Sequence, residues 1–384
     1  MTSRTRGRVF ALTPPRPPVI LRAMPTPTEP QVLAALSKVN DPELNRDLVS
    51  AGMIKNLVID GGRVSVKVEL TTPACPVKDL IKKDVEKALR SVDGVTEIAV
   101  EMGAQVRASK MGEKDLIPSV KNVILVGAGK GGVGKSTVAV NLAVGLATFG
   151  AKVGLLDADF YGPSVPLMTG VTGRPVSKDG KTLETLSAHG IQVMSIGFLI
   201  DPDQAVIWRG PMLHGAVIQL LRDVAWGELD YLVLDLPPGT GDLVLTLAQS
   251  VRAAGAVLVT TPQDVALSDV MKAKLAFDKL NVPILGVVEN MSAFVCPHCQ
   301  TKTAIFDEGG GQKFAAAMGI PFLGQVPLDL AIRQAGDAGT PMVSKDPEST
   351  QAKALLEVAT RVAGRVSMGN AKVRLPVLSA EARA

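Results

Sequence analysis

Nine consecutive residues carry the most specific chemistry in the chain: Gly129, Lys130, Gly131, Gly132, Val133, Gly134, Lys135, Ser136 and Thr137. Gly129 to Ser136 fit the pattern G-x-x-x-x-G-K-S. There, backbone N–H groups freed by glycine wrap a β-phosphate, the lysine neutralises phosphate charge and the serine hydroxyl takes Mg2+. A second constellation is Cys296-Pro297-His298-Cys299, whose spacing sets two thiolates within reach of one metal or cluster. Two aspartates complete the set. Asp157 follows the apolar run 153–156 and Asp235 follows 231–234. In an open parallel sheet the carboxyl ends of strands face the ligand crevice, so both carboxylates should converge on the glycine loop. Either could instead be a simple helix cap.

These residues need elements to position them. The apolar run 123–126 leads into the glycine loop and a helix-like run through Val140, Leu142, Ala143 and Leu146 leads out. Strand, loop and helix in that order are what phosphate binding requires, and a chance glycine-rich turn is the alternative. Further strand runs at 153–156, 231–234, 256–260, 284–288 and 322–326 alternate with helical stretches at 212–225, 243–252, 265–280 and 350–362. The alternation predicts an α/β fold with a mostly parallel, doubly wound sheet. Residues 170–190, rich in glycine and polar side chains, read as a loop or hairpin insertion.

A smaller α/β unit should precede this one. Residues 28–39 read as a short helix. Ile54–Asp60 and Arg63–Leu70 flank a Gly61-Gly62 turn, and Val64, Val66, Val68 and Leu70 alternate with polar residues as in a half-buried hairpin. A following helix lines Leu80, Ile81, Val85 and Leu89 on one side, and a strand at 95–100 closes the unit. The expected division is an extension at 1–27, the small domain at 28–101, a linker at 102–121, the phosphate-loop domain at 122–367 and a tail at 368–384.

The 384 residues suffice for two or three domains. Aromatic residues at 3% argue against a base-stacking nucleic-acid surface. The formal charge of +4 arises from Arg4, Arg6, Arg8, Arg16 and Arg22, which precede Met24 with no acid among them. Without them the body is near neutral, so no basic groove is indicated. That arginine-rich stretch reads either as a transit peptide or, preferably, as an extension upstream of a start at Met24. No apolar span of membrane length appears. Three cysteines, Cys75, Cys296 and Cys299, are too few and too odd for a disulfide framework, and a reducing cytoplasm is the working expectation.

Lys130, directly after the first glycine, is not needed by an ordinary phosphate loop. The form G-K-G-G-V-G-K-S-T resembles the deviant Walker A class of dimeric ATPases, which includes MinD, ParA, the nitrogenase iron protein and the Mrp/ApbC iron–sulfur carriers. The resemblance implies that Lys130 reaches a partner's nucleotide across a dimer interface. Asp235-Leu236-Pro237-Pro238-Gly239 looks like a Walker B and switch II segment, with the Gly239 N–H directed at a γ-phosphate. Residues 157–164 resemble switch I of that class, where Asp159 orients the attacking water. Asn290 falls where the class places its adenine-recognising amide. Residues 28–101 resemble the small SufT/PaaD-type domain through Asp41-Pro42-Glu43 and Thr71-Thr72-Pro73-Ala74-Cys75-Pro76. Cys75, at a strand-to-helix junction, is either a displayed thiolate or a buried structural thiol.

With both domains considered, residues 28–367 resemble an Mrp/ApbC-type iron–sulfur cluster carrier. One chain offers only two adjacent thiolates, so a two-fold dimer would supply the four that a bridging [4Fe-4S] cluster takes. The resemblance implies ATP, Mg2+ and the cluster as ligands, a homodimer, and apo iron–sulfur and assembly proteins as partners, without nucleic acid or membrane. A zinc hairpin remains open for the cysteine pair. A thioredoxin-like dithiol is disfavoured because residues 300–306 read as a strand, and His298 has poor geometry for the same metal. Two rival functions stay in view: a positioning ATPase of the MinD or ParA kind, and an electron donor like the nitrogenase iron protein.

Overall fold

The computed structural model describes residues 26–109, 116–200, 210–296, 298–299 and 301–372. The arginine-rich stretch before Met24, residues 110–115 of the predicted linker and the end of the predicted tail lie outside the described residues.

In the small unit, Thr28 and Gln31 form a capping box at the start of α1 (Glu29–Leu36), the Thr28 N–H donating to Gln31 Oε1 at 3.0 Å. Short strands β1 (Asn40–Asp41) and β2 (Arg46–Asp47) pair around a turn that Asp41 closes by accepting the N–H groups of Glu43 and Leu44. Then β3 (Ile54–Asp60) and β4 (Arg63–Leu70) form the expected antiparallel hairpin, α2 (Lys78–Arg90) crosses over, and β5 (Glu97–Ala104) pairs parallel to β4. Val64, Val66, Val68 and Leu70 bury against Ile81, Val85 and Leu89 of α2. Leu80 does not join them and is 52% exposed, since one residue along a helix turns about 100° away from the buried face. Strand β5 runs to Ala104, past the predicted end at 100, because its register with β4 continues to the Leu70–Ala104 pair.

The large unit is built on β6 (Val123–Ala128), α3 (Lys135–Thr148), β7 (Val153–Asp157), α4 (Val165–Thr169), β8 (Leu183–Glu184), β9 (Leu186–Ala188) and β10 (Ile191–Ser195). There follow α5 (Gly210–Arg222), β11 (Val224–Ala225), β12 (Tyr231–Asp235), α6 (Asp242–Ser250), β13 (Ala253–Thr260), α7 (Asp264–Lys279) and β14 (Ile284–Val295). The chain ends through β15 (Lys302–Thr303), α8 (Gly310–Met318), β16 (Phe322–Leu328), α9 (Leu330–Asp337), α10 (Met342–Lys345) and α11 (Thr350–Lys372). The main sheet has the order β15-β14-β13-β6-β12-β7-β10-β9, with β16 also paired to β14. All its pairings are parallel except β9 with β10 and β14 with β15. Every residue of β6, β7 and β12 is buried, and since side chains alternate, both faces of the sheet are covered.

Helix α11 continues well past the predicted end at 362 and takes in the start of the predicted tail. Its last turns hold no long apolar stripe because their partners are polar. The Ser367 hydroxyl donates to Thr71 Oγ1 at 2.5 Å, and the Asn370 amide donates to the Arg107 carbonyl at 3.0 Å. The small unit also docks where Thr72 Oγ1 meets Tyr231 Oη at 3.3 Å, and Ala74 joins the core of the large unit. Thr72→Val keeps the shape and leaves the buried Tyr231 hydroxyl without this partner. It should cost about 1–2 kcal/mol, read as a lower urea midpoint with an unchanged slope.

Candidate functional site

Strand β6 ends in the middle of the sheet, between β12 and β13, and the chain passes from β12 to β13 across it. Such a crossover opens a crevice at the carboxyl ends of the strands, and the glycine loop leaves β6 there. Two glycines show how tightly the loop is fitted. Gly134 sits at φ +80°, and a Cβ on Gly129 would stand 2.1 Å from the Asp269 backbone. Helix α3 then starts at Lys135 with no side-chain cap on its first turn, leaving N–H groups to meet an anion.

Lys135, only 7% exposed, places Nζ 2.7 Å from Asp235 Oδ1, 3.2 Å from Ser136 Oγ and 3.7 Å from Asp159 Oδ2. The Ser136 hydroxyl donates to Asp235 Oδ2 at 2.5 Å. Asp157 lies directly opposite Asp235 in the β7–β12 register and accepts from Asp159 N–H, Val165 N–H and the Ser195 hydroxyl. The sheet thus brings Lys135, Ser136, Asp157, Asp159 and Asp235 together, along with Ser195, which the sequence reading did not single out. Burial, then the charge of Asp235, pushes the Asp157 carboxyl up to about 7. Burial also raises Asp235, while Lys135 pulls it back down. Because the fold holds a proton on Asp157 that the unfolded chain releases, this group's contribution to stability falls as pH rises from about 4 to about 7. Three carboxyl groups gather around one ammonium, an acidic cluster that a divalent cation would offset. Ser136 and Asp235 would hold Mg2+, and Lys135 with the loop N–H groups would hold the phosphates.

Three placements add detail to the sequence reading. The Gly239 N–H donates to the Ala128 carbonyl at 2.9 Å, so it closes on the base of the glycine loop and is not aimed at a phosphate. Asn290, 5% exposed, donates its amide to the Val133 carbonyl at 2.8 Å, and a Cβ on Gly134 would meet its Nδ2 at 2.1 Å. One N–H of its amide is thus engaged by the loop backbone. Cys75 is half-buried with Sγ 3.9 Å from Glu43 Oε2, and burial, with the backbone hydrogen bond at Val77 opposing, pushes its thiol up to about 12. The acidic neighbours Glu43 and Asp41 add to the rise, so no thiolate is displayed there. Lys130 is partly buried and makes no ion pair or hydrogen bond among the described residues.

Strand β14 extends seven residues past the predicted end at 288, and β15 folds back on it with Phe294 opposite Thr303 and Val295 opposite Lys302. The Cys296 N–H donates to the Thr301 carbonyl at 3.1 Å, so Cys296 and Cys299 occupy the tip of a β-hairpin, with no helix start beneath them. Both thiols are free, Cys296 partly buried and Cys299 exposed. The Thr301 hydroxyl, 3.2 Å from Cys299 Sγ, holds that thiol below its ordinary range, with the Thr301 backbone and Cys296 contributing. Among the described residues no three His, Cys, Asp or Glu side chains are grouped to hold a metal ion. One chain therefore presents two ligands at the tip.

A parallel sheet with this glycine loop at its crossover, and a lysine, a serine and aspartates converging beneath it, defines a P-loop nucleotide-binding protein. Residues 119–363 match the family described as NUBPL iron-transfer P-loop NTPase, and the chain belongs to it. Residues 29–100 match a second family, described as iron-sulfur cluster assembly protein. The iron-sulfur cluster carrier protein of Deinococcus radiodurans is 52% identical over 351 residues, covering 90% of this chain and 99% of its own. That of Synechocystis is 50% identical over 347 residues, covering 89% and 98%. Among solved structures, a nucleotide-binding protein from Archaeoglobus fulgidus in complex with ADP is 41% identical with a TM-score of 0.53, over 60% of this chain and 92% of that one. No helix among the described residues is long and apolar enough to cross a membrane.

The three thiols should separate cleanly by reactivity. At pH 8 a thiol near 12 carries about a thousandfold less thiolate than an ordinary one. Site-resolved alkylation should therefore label Cys299 first and Cys75 last, with Cys75 catching up only on unfolding. Rapid labelling of Cys75 in the folded chain would contradict its placement against Glu43.

Proposed function

We propose that the chain is an ATP-hydrolysing carrier that assembles a [4Fe-4S] cluster between two copies of itself and passes it to apo-proteins, within a reducing cytoplasm. The observation that carries this reading is the cysteine hairpin. It supplies two thiols, one partly buried and one exposed, with no third ligand grouped beside them among the described residues, and it extends from a strand of the sheet that holds the phosphate loop. Two hairpins related by a two-fold axis supply the four thiolates that such a cluster takes. A site built at a subunit boundary is open to release, which suits a carrier.

In the nucleotide site, Lys135 and the N–H groups from Gly129 to Thr137 hold phosphates, and Ser136 and Asp235 hold Mg2+. Asp159, 3.7 Å from Lys135, stands at the mouth of that pocket to orient water, with Asp157 behind it. Lys130, without a hydrogen-bond or ion-pair partner among the described residues, is the residue offered across the dimer. Gly239 and Asn290 line the site from switch II and β14. These roles rest on geometry together with membership of the NTPase family. A positioning ATPase would call for a basic DNA-binding face or an amphipathic membrane anchor, and the near-neutral body offers no basic groove.

Lys135→Ala and Asp235→Ala should each lower MgATP turnover by about a hundredfold or more while the fold persists, since phosphoryl transfer depends on charge neutralisation and metal placement. Turnover in a folded Lys135→Ala protein equal to that of the parent would defeat the assignment. For the cargo, anaerobic reconstitution followed by iron, sulfide and zinc analysis should find about one [4Fe-4S] cluster per two chains. Cys296→Ala or Cys299→Ala should abolish it, and Cys75→Ser should not. A monomer that keeps a whole cluster, or zinc as the sole occupant, would overturn the carrier reading.

A further inference from the structure

Strand β14 carries three consecutive residues, each with its own attachment. Glu289 is fully buried: Oε1 accepts the Gly309 N–H at 3.0 Å and the Gln325 amide at 2.9 Å, and Oε2 accepts the Gly311 N–H at 2.6 Å. Gly309 and Gly311 flank the first residue of α8, the element that receives the chain after the cysteine hairpin. Glu289 therefore fixes both the strand that enters the hairpin and the segment that leaves it. Asn290 donates to the Val133 carbonyl inside the glycine loop. Met291 adopts φ +56°, a left-handed conformation that costs a side-chain-bearing residue about 1 kcal/mol or more.

The backbone irregularity lies in the same place. Pairing of β14 with β16 shifts register between Asn290 and Phe294, so the strand is bent and locally unpaired at Met291. The Met291 side chain lies beside the loop, its Cε 3.7 Å from where a Cβ of Gly134 would sit. Beyond the bend, β14 pairs with β15, meets β16 again at the Phe294–Leu328 pair, and carries Cys296 five residues past Met291. The loop is thus joined by the Asn290 hydrogen bond to the point where the hairpin arm departs, with the Met291 side chain next to it.

We propose that Asn290 and Met291 are positioning residues that tie the setting of the Cys296/Cys299 hairpin to the occupant of the glycine loop. Phosphates gripped by the loop N–H groups shift the Val133–Gly134 backbone, the Asn290 amide follows the Val133 carbonyl, and the bend at Met291 turns that shift into a tilt of the hairpin. Glu289 anchors the strand below the bend, and above it the Ser292 hydroxyl on the Val326 carbonyl and the Phe294–Leu328 pair hold the arm to β16, so the shift reaches the hairpin as a tilt about those points. The inference deepens the carrier reading and rests on it for what the two thiols hold.

The test is site-resolved alkylation of the cluster-free, full-length protein without nucleotide, with MgADP and with MgATP, each at saturating concentration. Labelling of Cys296 and Cys299 should change by about fivefold between nucleotide states, the size of an ordinary coupling between two sites, while Cys75 stays constant. In Asn290→Ala, at saturating nucleotide, the change should vanish. Met291→Gly accepts the left-handed backbone without strain and removes the side chain that lies beside the loop, so its thermal stability should hold while the nucleotide effect shrinks. Labelling in the parent protein that ignores bound nucleotide would overturn the link, and so would a full nucleotide effect retained in either folded variant. Because no cluster is present, the result is separate from the reconstitution assay. A chain that takes no cluster yet shows nucleotide-dependent labelling keeps the link and loses the carrier reading, and the reverse outcome does the opposite.

Discussion

An ammonium group buried beside carboxylates is the constraint on which the large unit depends. Lys135 leaves water almost completely, and its charge is compensated by Asp235 at the end of β12, with Asp159 a little farther off. A buried charge is tolerable only when it is paired and hydrogen-bonded. That pairing requires β6, α3 and β12 to meet at one level, which the parallel register of β6 with β12 and of β12 with β7 provides. Burial raises both carboxyls, the charge of Asp235 adds to the rise of Asp157, and the acids gathered there make the pocket acidic beneath a loop of positive N–H groups. Anion above and cation between is the distribution that a magnesium-bound phosphate chain satisfies.

Much of this was legible in the sequence because it is written in backbone-level signals. Glycines at 129, 132 and 134 announce a loop that side chains would obstruct. Apolar runs ending in Asp157 and Asp235 announce parallel strands with acids at their carboxyl ends. What could not be read depends on where a side chain turns after the chain has folded. Asn290 and Gly239 sit near the loop as their positions imply, yet their donors go to the carbonyls of Val133 and Ala128. Cys75 lies at a strand-to-helix junction, where a thiolate is favoured, but it faces Glu43 and Asp41 and is driven the other way.

The ends of elements were misjudged for a related reason. Helix α11 runs to Lys372 because Ser367 and Asn370 find polar partners in segments more than two hundred residues away, and no periodicity within the helix reports that. Glu289 and Ser195 escaped notice likewise. An acid inside an apolar strand is a visible oddity, whereas its three donors come from the start of α8 and from β16, 20 to 36 residues further on.

Tyr231 and Asp235 are the two ends of one five-residue strand. The first meets Thr72 of the small unit and the second meets Lys135, so the docking contact and the phosphate pocket stand about 13 Å apart at strand spacing, on opposite poles of the sheet. The molecule is therefore two-ended. The small unit occupies the amino-end pole, and the glycine loop and the cysteine hairpin lie at the carboxyl-end pole, so the two matched families contribute opposite ends of one sheet.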